Sequence, residues 1–171
     1  AKQLEAKRPG EEPLDSSSAV REVEAVRRWI NGLPCHREGK EPGPLPEVIP
    51  IEDIRKVKAS GANLTKAPDL LRQLTGISVL DLSNNELTSL PDTMFRGMNG
   101  LQELYLSRNG LTSIPGGMLR GINGLQELHL PNNSLTSLPG EMFKDLNRLQ
   151  ILNLSCNQMT SLPSEIGHLS H

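Results

Sequence analysis

Aromatic side chains are scarce in this chain of 171 residues: two Phe, one Tyr and one Trp make up 2% of it. Any core must therefore be aliphatic, and Leu has to carry it. Cysteine is scarcer still. Cys35 and Cys156 are too few and too far apart to staple a small secreted domain, which favours a reducing intracellular compartment and two inert thiols. No apolar run approaches the roughly 18 residues of a membrane span. The amino end, AKQLEAKRPG, is polar rather than a signal h-region. Charge of either sign is not in excess, with 18 Lys and Arg against 20 Asp and Glu and no basic stripe. That argues against nucleic acid as a partner. The chain also lacks a phosphate-binding glycine loop, HExxH, GxSxG and paired CxxC. No catalytic centre, metal or cofactor is expected.

What the chain has is repetition. Written in blocks of 24 from Ile77, it reads ISVLDLSNNELTSLPDTMFRGMNG, LQELYLSRNGLTSIPGGMLRGING, LQELHLPNNSLTSLPGEMFKDLNR and LQILNLSCNQMTSLPSEIGHLSH. A degenerate unit, IRKVKASGANLTKAPDLLRQLTG, precedes them. In LQELHL, Leu128 and Leu130 are two apart and point to one face of an extended strand, while Glu127 and His129 point to the other. One such strand cannot bury itself. Parallel stacking about 4.8 Å apart joins the columns Val57, Leu80, Leu104, Leu128, Leu152 and Ala59, Leu82, Leu106, Leu130, Leu154 into one core. Asn85, Asn109, Asn133 and Asn157 recur after the strands, where an amide can satisfy buried backbone groups of adjacent coils. Ala62 stands there in the first unit, so a less regular turn is expected. The recurring Pro91, Pro115, Pro139 and Pro163 bar a second ladder, and short helical or 3-10 turns should follow them.

These units resemble the leucine-rich repeat pattern LxxLxLxxNxLxxLPxxxFxxLxx over residues 54–171, in units 54–76, 77–100, 101–124, 125–148 and 149–171. The resemblance implies an α/β solenoid: a curved stack with a parallel sheet on its concave side, short turns on its convex side and an N-terminal capping helix. That helix is expected at 15–33, where Val20, Val23, Val26 and Ile30 recur at helical spacing. A disordered tail at 1–14 would precede it. Residues 34–53 would form an extended connector, since 34–50 alone hold five Pro and two Gly. The last unit stops with no capping helix or cysteine cluster, so continuation of the natural protein beyond His171 is expected.

The outward columns vary while the inward ones repeat, which frees them for recognition. They read Lys56, Val79, Glu103, Glu127, Ile151, then Lys58, Asp81, Tyr105, His129, Asn153, then Gly61, Asn84, Arg108, Asn132, Cys156. The candidate partner-binding residues are Lys58, Asp81, Glu103, Tyr105, Arg108, Glu127, His129, Asn132 and Asn153, with Tyr105, Arg108 and His129 foremost. Tyr and Arg are typical interface anchors. His129 beside Glu103 or Glu127 also invites a catalytic base, but a repeated outward column supplies no enclosing pocket or nucleophile. The resemblance implies a non-enzymatic module holding a protein partner on its concave face. The missing cysteine-rich caps argue against the extracellular branches of the family. An alternative is the substrate-recognition region of a bacterial secreted effector whose ubiquitin-ligase domain lies elsewhere, from the Trp29 helix and the segment SGANLTKAP. A structural element that self-associates through its open C-terminal edge is the third reading.

Overall fold

The period-two alternation of the repeated hexapeptides produces five short strands in the computed structural model, which describes residues 54–169. The tail, helix and connector expected before Ile54 lie outside the described residues. The strands are β1 (Lys56–Lys58), β2 (Val79–Asp81), β3 (Glu103–Tyr105), β4 (Glu127–His129) and β5 (Ile151–Asn153), parallel and in sequence order. Their register matches the repeat columns: Val57 faces Leu80, Leu80 faces Leu104, Leu104 faces Leu128, and Leu128 faces Leu152. Among the described residues this is a parallel-sheet solenoid of consecutive coils.

Backbone pairing continues past the strand ends. Leu82 donates to the Tyr105 carbonyl at 2.9 Å, Leu106 to His129 at 2.8 Å, and Arg108 to Pro131 at 3.0 Å. Neighbouring coils are thus tied over more residues than the strands alone, which matters because a three-residue strand has few bonds of its own. Inside, Leu80, Leu82, Leu104, Leu106, Leu128 and Leu130 are fully buried. Phe95, Leu119 and Phe143 form a second inward column, and Met94, Met118 and Met142 lie buried beside them.

Each Asn of the turn reaches back one coil. Asn85 Nδ2 donates to the carbonyls of Ala59 and Leu82, both at 2.9 Å, and its Oδ1 accepts from the Leu64 amide at 3.0 Å. Asn109 does the same with Leu82, Leu106 and Leu87. Asn133 repeats it with Leu106, Leu130 and Leu111, and Asn157 with Leu130, Leu154 and Leu135. Every rung thus satisfies groups of the preceding coil, and in the first described coil Ala62 stands at the rung position. The turn there differs as well. Asn63 adopts φ 56° in addition to Gly61 at φ 68°, an extra left-handed residue that the later turns lack.

The prolines set how the other flank is built. The carbonyls of Pro68, Pro91, Pro115, Pro139 and Pro163 each accept a bond from the amide three residues on, the 3-10 geometry. In three coils this extends to a 3-10 helix, at Asp69–Gln73, Gly140–Phe143 and Ser164–His168. In the second and third coils it stays a series of turns, closed by Gly97 at φ 87° and Gly121 at φ 81°. None of the helices among the described residues is long and apolar enough to cross a membrane.

Candidate functional site

The outward face of the sheet has two rows, not three. The first runs Lys56, Val79, Glu103, Glu127, Ile151 and the second Lys58, Asp81, Tyr105, His129, Asn153, in register across the five strands. The third column sits beyond the strand ends, in the turn. There Gly61, Asn84, Arg108, Asn132 and Cys156 all have positive φ, between 52° and 68°. Arg108 and Asn132 are therefore turn residues flanking the sheet rather than strand residues on it. Backbone conformation constrains that column as much as recognition can, since Gly and Asn adopt the left-handed region at least cost. Val79 departs from the outward reading too. It is only 8% exposed, registered between Lys56 and Glu103. Ile151, in the same row on the last strand, is 44% exposed.

Four candidate residues meet at the centre. Glu103 and Glu127 stand opposite each other on β3 and β4, a like-charge pair that on its own would destabilise the sheet. Tyr105 offsets it: its hydroxyl lies 3.0 Å from Glu103 Oε2 and 3.2 Å from Glu127 Oε2, so its single proton is shared between the two carboxylates. His129 Nε2 lies 3.1 Å from the same Glu127 oxygen, and donates to it when that nitrogen carries a proton. The rings of Tyr105 and His129, register partners, stack with centroids 4.7 Å apart and planes 12° from parallel. Glu127 and His129 are partly withdrawn from water, at 32% and 20% side-chain exposure. The partner of His129 is thus the glutamate two residues back on its own strand.

The electrostatics follow from this packing. The pKa of the Tyr105 hydroxyl is pushed far above its usual range, first by burial, then by its bond to Glu103 and by the charges of Glu103 and Glu127. A phenolate there would face two carboxylates and lose the proton that holds them. Tyr105 is consequently a hydrogen-bond donor and a flat apolar surface, not a nucleophile. The cluster lies on an open sheet face. A cavity of about 390 Å³, lined by Phe143, Leu146, His168 and Leu169 among others, belongs to the other flank of the last two coils.

The remaining candidates are placed apart. Asp81 accepts a bond from the Ser83 amide at 2.9 Å, and Asn153 binds the amide and hydroxyl of Ser155 at 3.1 and 2.8 Å. Both brace the turn that follows their strand. Lys58 pairs in register with Asp81 at the first edge. Asn132 is exposed in the turn row. The Tyr105–His129 stack had one signal in the sequence: aromatic rings 24 residues apart occupy one column on adjacent coils.

Comparison with known proteins accords with this architecture. The family model described as leucine rich repeat matches residues 75–135 and 123–171. Among solved structures, a leucine-rich repeat protein of Leptospira interrogans is 32% identical with a TM-score of 0.57, covering 70% of this chain and 36% of its own. A chain of the BIR3–SERK2 complex from Arabidopsis thaliana is 31% identical with a TM-score of 0.57, covering 66% of this chain and 61% of its own. The chain thus spans about a third of the first protein and three-fifths of the second. No curated protein matches it.

Proposed function

Because the chain belongs to the leucine-rich repeat family, whose domains are generally protein-interaction modules, we propose that it holds a protein partner on the outward face of its sheet, the concave wall of a curved stack. The observation that carries this is the contrast between the two faces of the same strands. The inward columns repeat aliphatic residues, whereas the outward rows differ coil by coil and converge on the Glu103, Tyr105, Glu127 and His129 cluster. Two stacked rings beside partly withdrawn polar groups give the mix of flat apolar area and fixed hydrogen bonding on which interface hot spots are built. A photo-crosslinking residue in place of Tyr105 should give covalent adducts with proteins of the source lysate, and one in place of Arg120, on the other flank, should not. Equal labelling from both positions, or labelling from Arg120 alone, refutes the reading.

Self-assembly is the rival that an observation favours. On the last coil Ile151 is 44% and Leu162 57% exposed, beside half-buried Leu152, Leu154 and Met159. Sedimentation over a wide concentration range separates the two, since pairing through that edge makes mass depend on concentration. The narrower reading, recognition on behalf of a bacterial effector's catalytic domain, rests on the sequence around Trp29 and of residues 60–68.

A further inference from the structure

On the third and fourth coils, charge on the outward face is sorted along the strand direction. At the strand starts Glu103 and Glu127 oppose each other, and no Lys or Arg pairs with either among the described residues. One step along lies the Tyr105–His129 stack. In the turn beyond, the exposed Arg108 guanidinium has no hydrogen bond or ion pair among the described residues. Arg108 is also held at φ 52°, in a column where Gly61, Asn84 and Asn132 show the residue types that adopt this conformation at lower cost. Arg108 is the one charged side chain in that column, whose last member, Cys156, shares the left-handed backbone at φ 55°.

We infer that this face takes an extended segment of a protein partner carrying one basic and one acidic side chain. The basic group sits on Glu103 and Glu127, the acidic group on Arg108, and the chain between them crosses the aromatic stack. This deepens the reading of the sheet face as a partner surface and rests on it. Five residues of backbone separate Glu103 from Arg108, at most roughly 16 Å when extended, which a partner strand spans in about five residues. Charge complementarity selects the occupant. A nucleic acid strand would bring phosphates past the carboxylate pair, whereas a segment with both signs satisfies each group in turn. A planar guanidinium suits the site best, because it can bind carboxylates with two parallel bonds and stack on an aromatic face.

Selection of a phage-displayed random peptide library on the immobilised 171-residue chain tests this. Enriched peptides should carry Lys or Arg and Asp or Glu three to six residues apart. Their affinity should fall at least roughly tenfold with Glu103→Gln plus Glu127→Gln, and again with Arg108→Asn. The second change copies the residue already present at Asn84 and Asn132, so it keeps the fold. Changing the peptide's acidic residue to Lys should abolish binding, and Arg108→Glu should restore it. Enriched peptides that lose affinity with Tyr105→Ala but not with the charge variants overturn the inference and leave the partner face standing. Peptides indifferent to every one of these substitutions overturn both. An absence of enriched peptides overturns the inference, the crosslinking test then deciding the face on its own.

Discussion

The fourth and fifth coils carry nearly the same sequence pattern and bury it very differently. Leu138 is 6% exposed and its counterpart Leu162 is 57% exposed, while Leu128 and Leu130 are fully buried and Leu152 and Leu154 only half so. The fourth coil has a neighbour on each side; the fifth has one among the described residues. Burial in this protein is thus conferred by the next coil and not by a coil's own residues. A stack whose stability is a sum of nearest-neighbour interfaces follows from that.

The sharpest test uses one side chain at one column in both coils. Leu128→Ala removes a fully enclosed side chain and should destabilise by about 2–5 kcal/mol in urea unfolding. Leu152→Ala removes a half-buried one, and its cost should be less than half as large. Equal costs would mean that the coils do not act as separate layers. The asparagine rungs repeat the comparison at smaller scale. Asn133→Ala orphans the Leu106 and Leu130 carbonyls and the Leu111 amide in a buried turn, a loss of about 1–3 kcal/mol. Asn157 makes the matching bonds in a partly exposed turn where water can replace them, so Asn157→Ala should fall at the low end of that range.

Strand positions, register and the asparagine rungs were legible because the 24-residue period places each of them identically in every coil. The turn row was not. Gly61, Asn84, Arg108, Asn132 and Cys156 share no side-chain chemistry, and only Gly and Asn hint at the left-handed backbone that all five adopt. Asp81 and Asn153 read as outward recognition residues, yet each bends back to its own turn, a choice made locally by a short side chain two residues from an amide. The central cluster was half visible. Columns announced that Glu103 and Glu127 would be neighbours, but which oxygen His129 meets depends on ring orientation, which no spacing encodes. Replacing Arg108 or Cys156 by Asn exploits the hidden constraint and should raise stability by up to about 1 kcal/mol at either site, read as an upward shift in Tm. A gain at Cys156 but not at Arg108 would show that the central turn is held by contacts the end turn lacks.

The smallest effect is the most specific, because Tyr105 is the one tyrosine in the chain and its ionisation can be followed by phenolate absorbance alone. Its hydroxyl is less acidic in the folded protein than the ordinary value of 10.0, as burial and two carboxylates disfavour the phenolate. In the unfolded chain it reverts to that ordinary value. The unfolded state therefore releases this proton first as pH rises. Stability from Tyr105 is fully present below pH 10 and is lost progressively as pH climbs beyond it. Native protein should show no phenolate at a pH where the urea-unfolded chain is half ionised. Tyr105→Phe should flatten the alkaline decline in stability, and Glu103→Gln should bring the native titration back toward that of free tyrosine. A native Tyr105 that ionises alongside the unfolded chain would mean that its hydroxyl does not hold the two glutamates together, and the centre of the face would then be no more ordered than its edges.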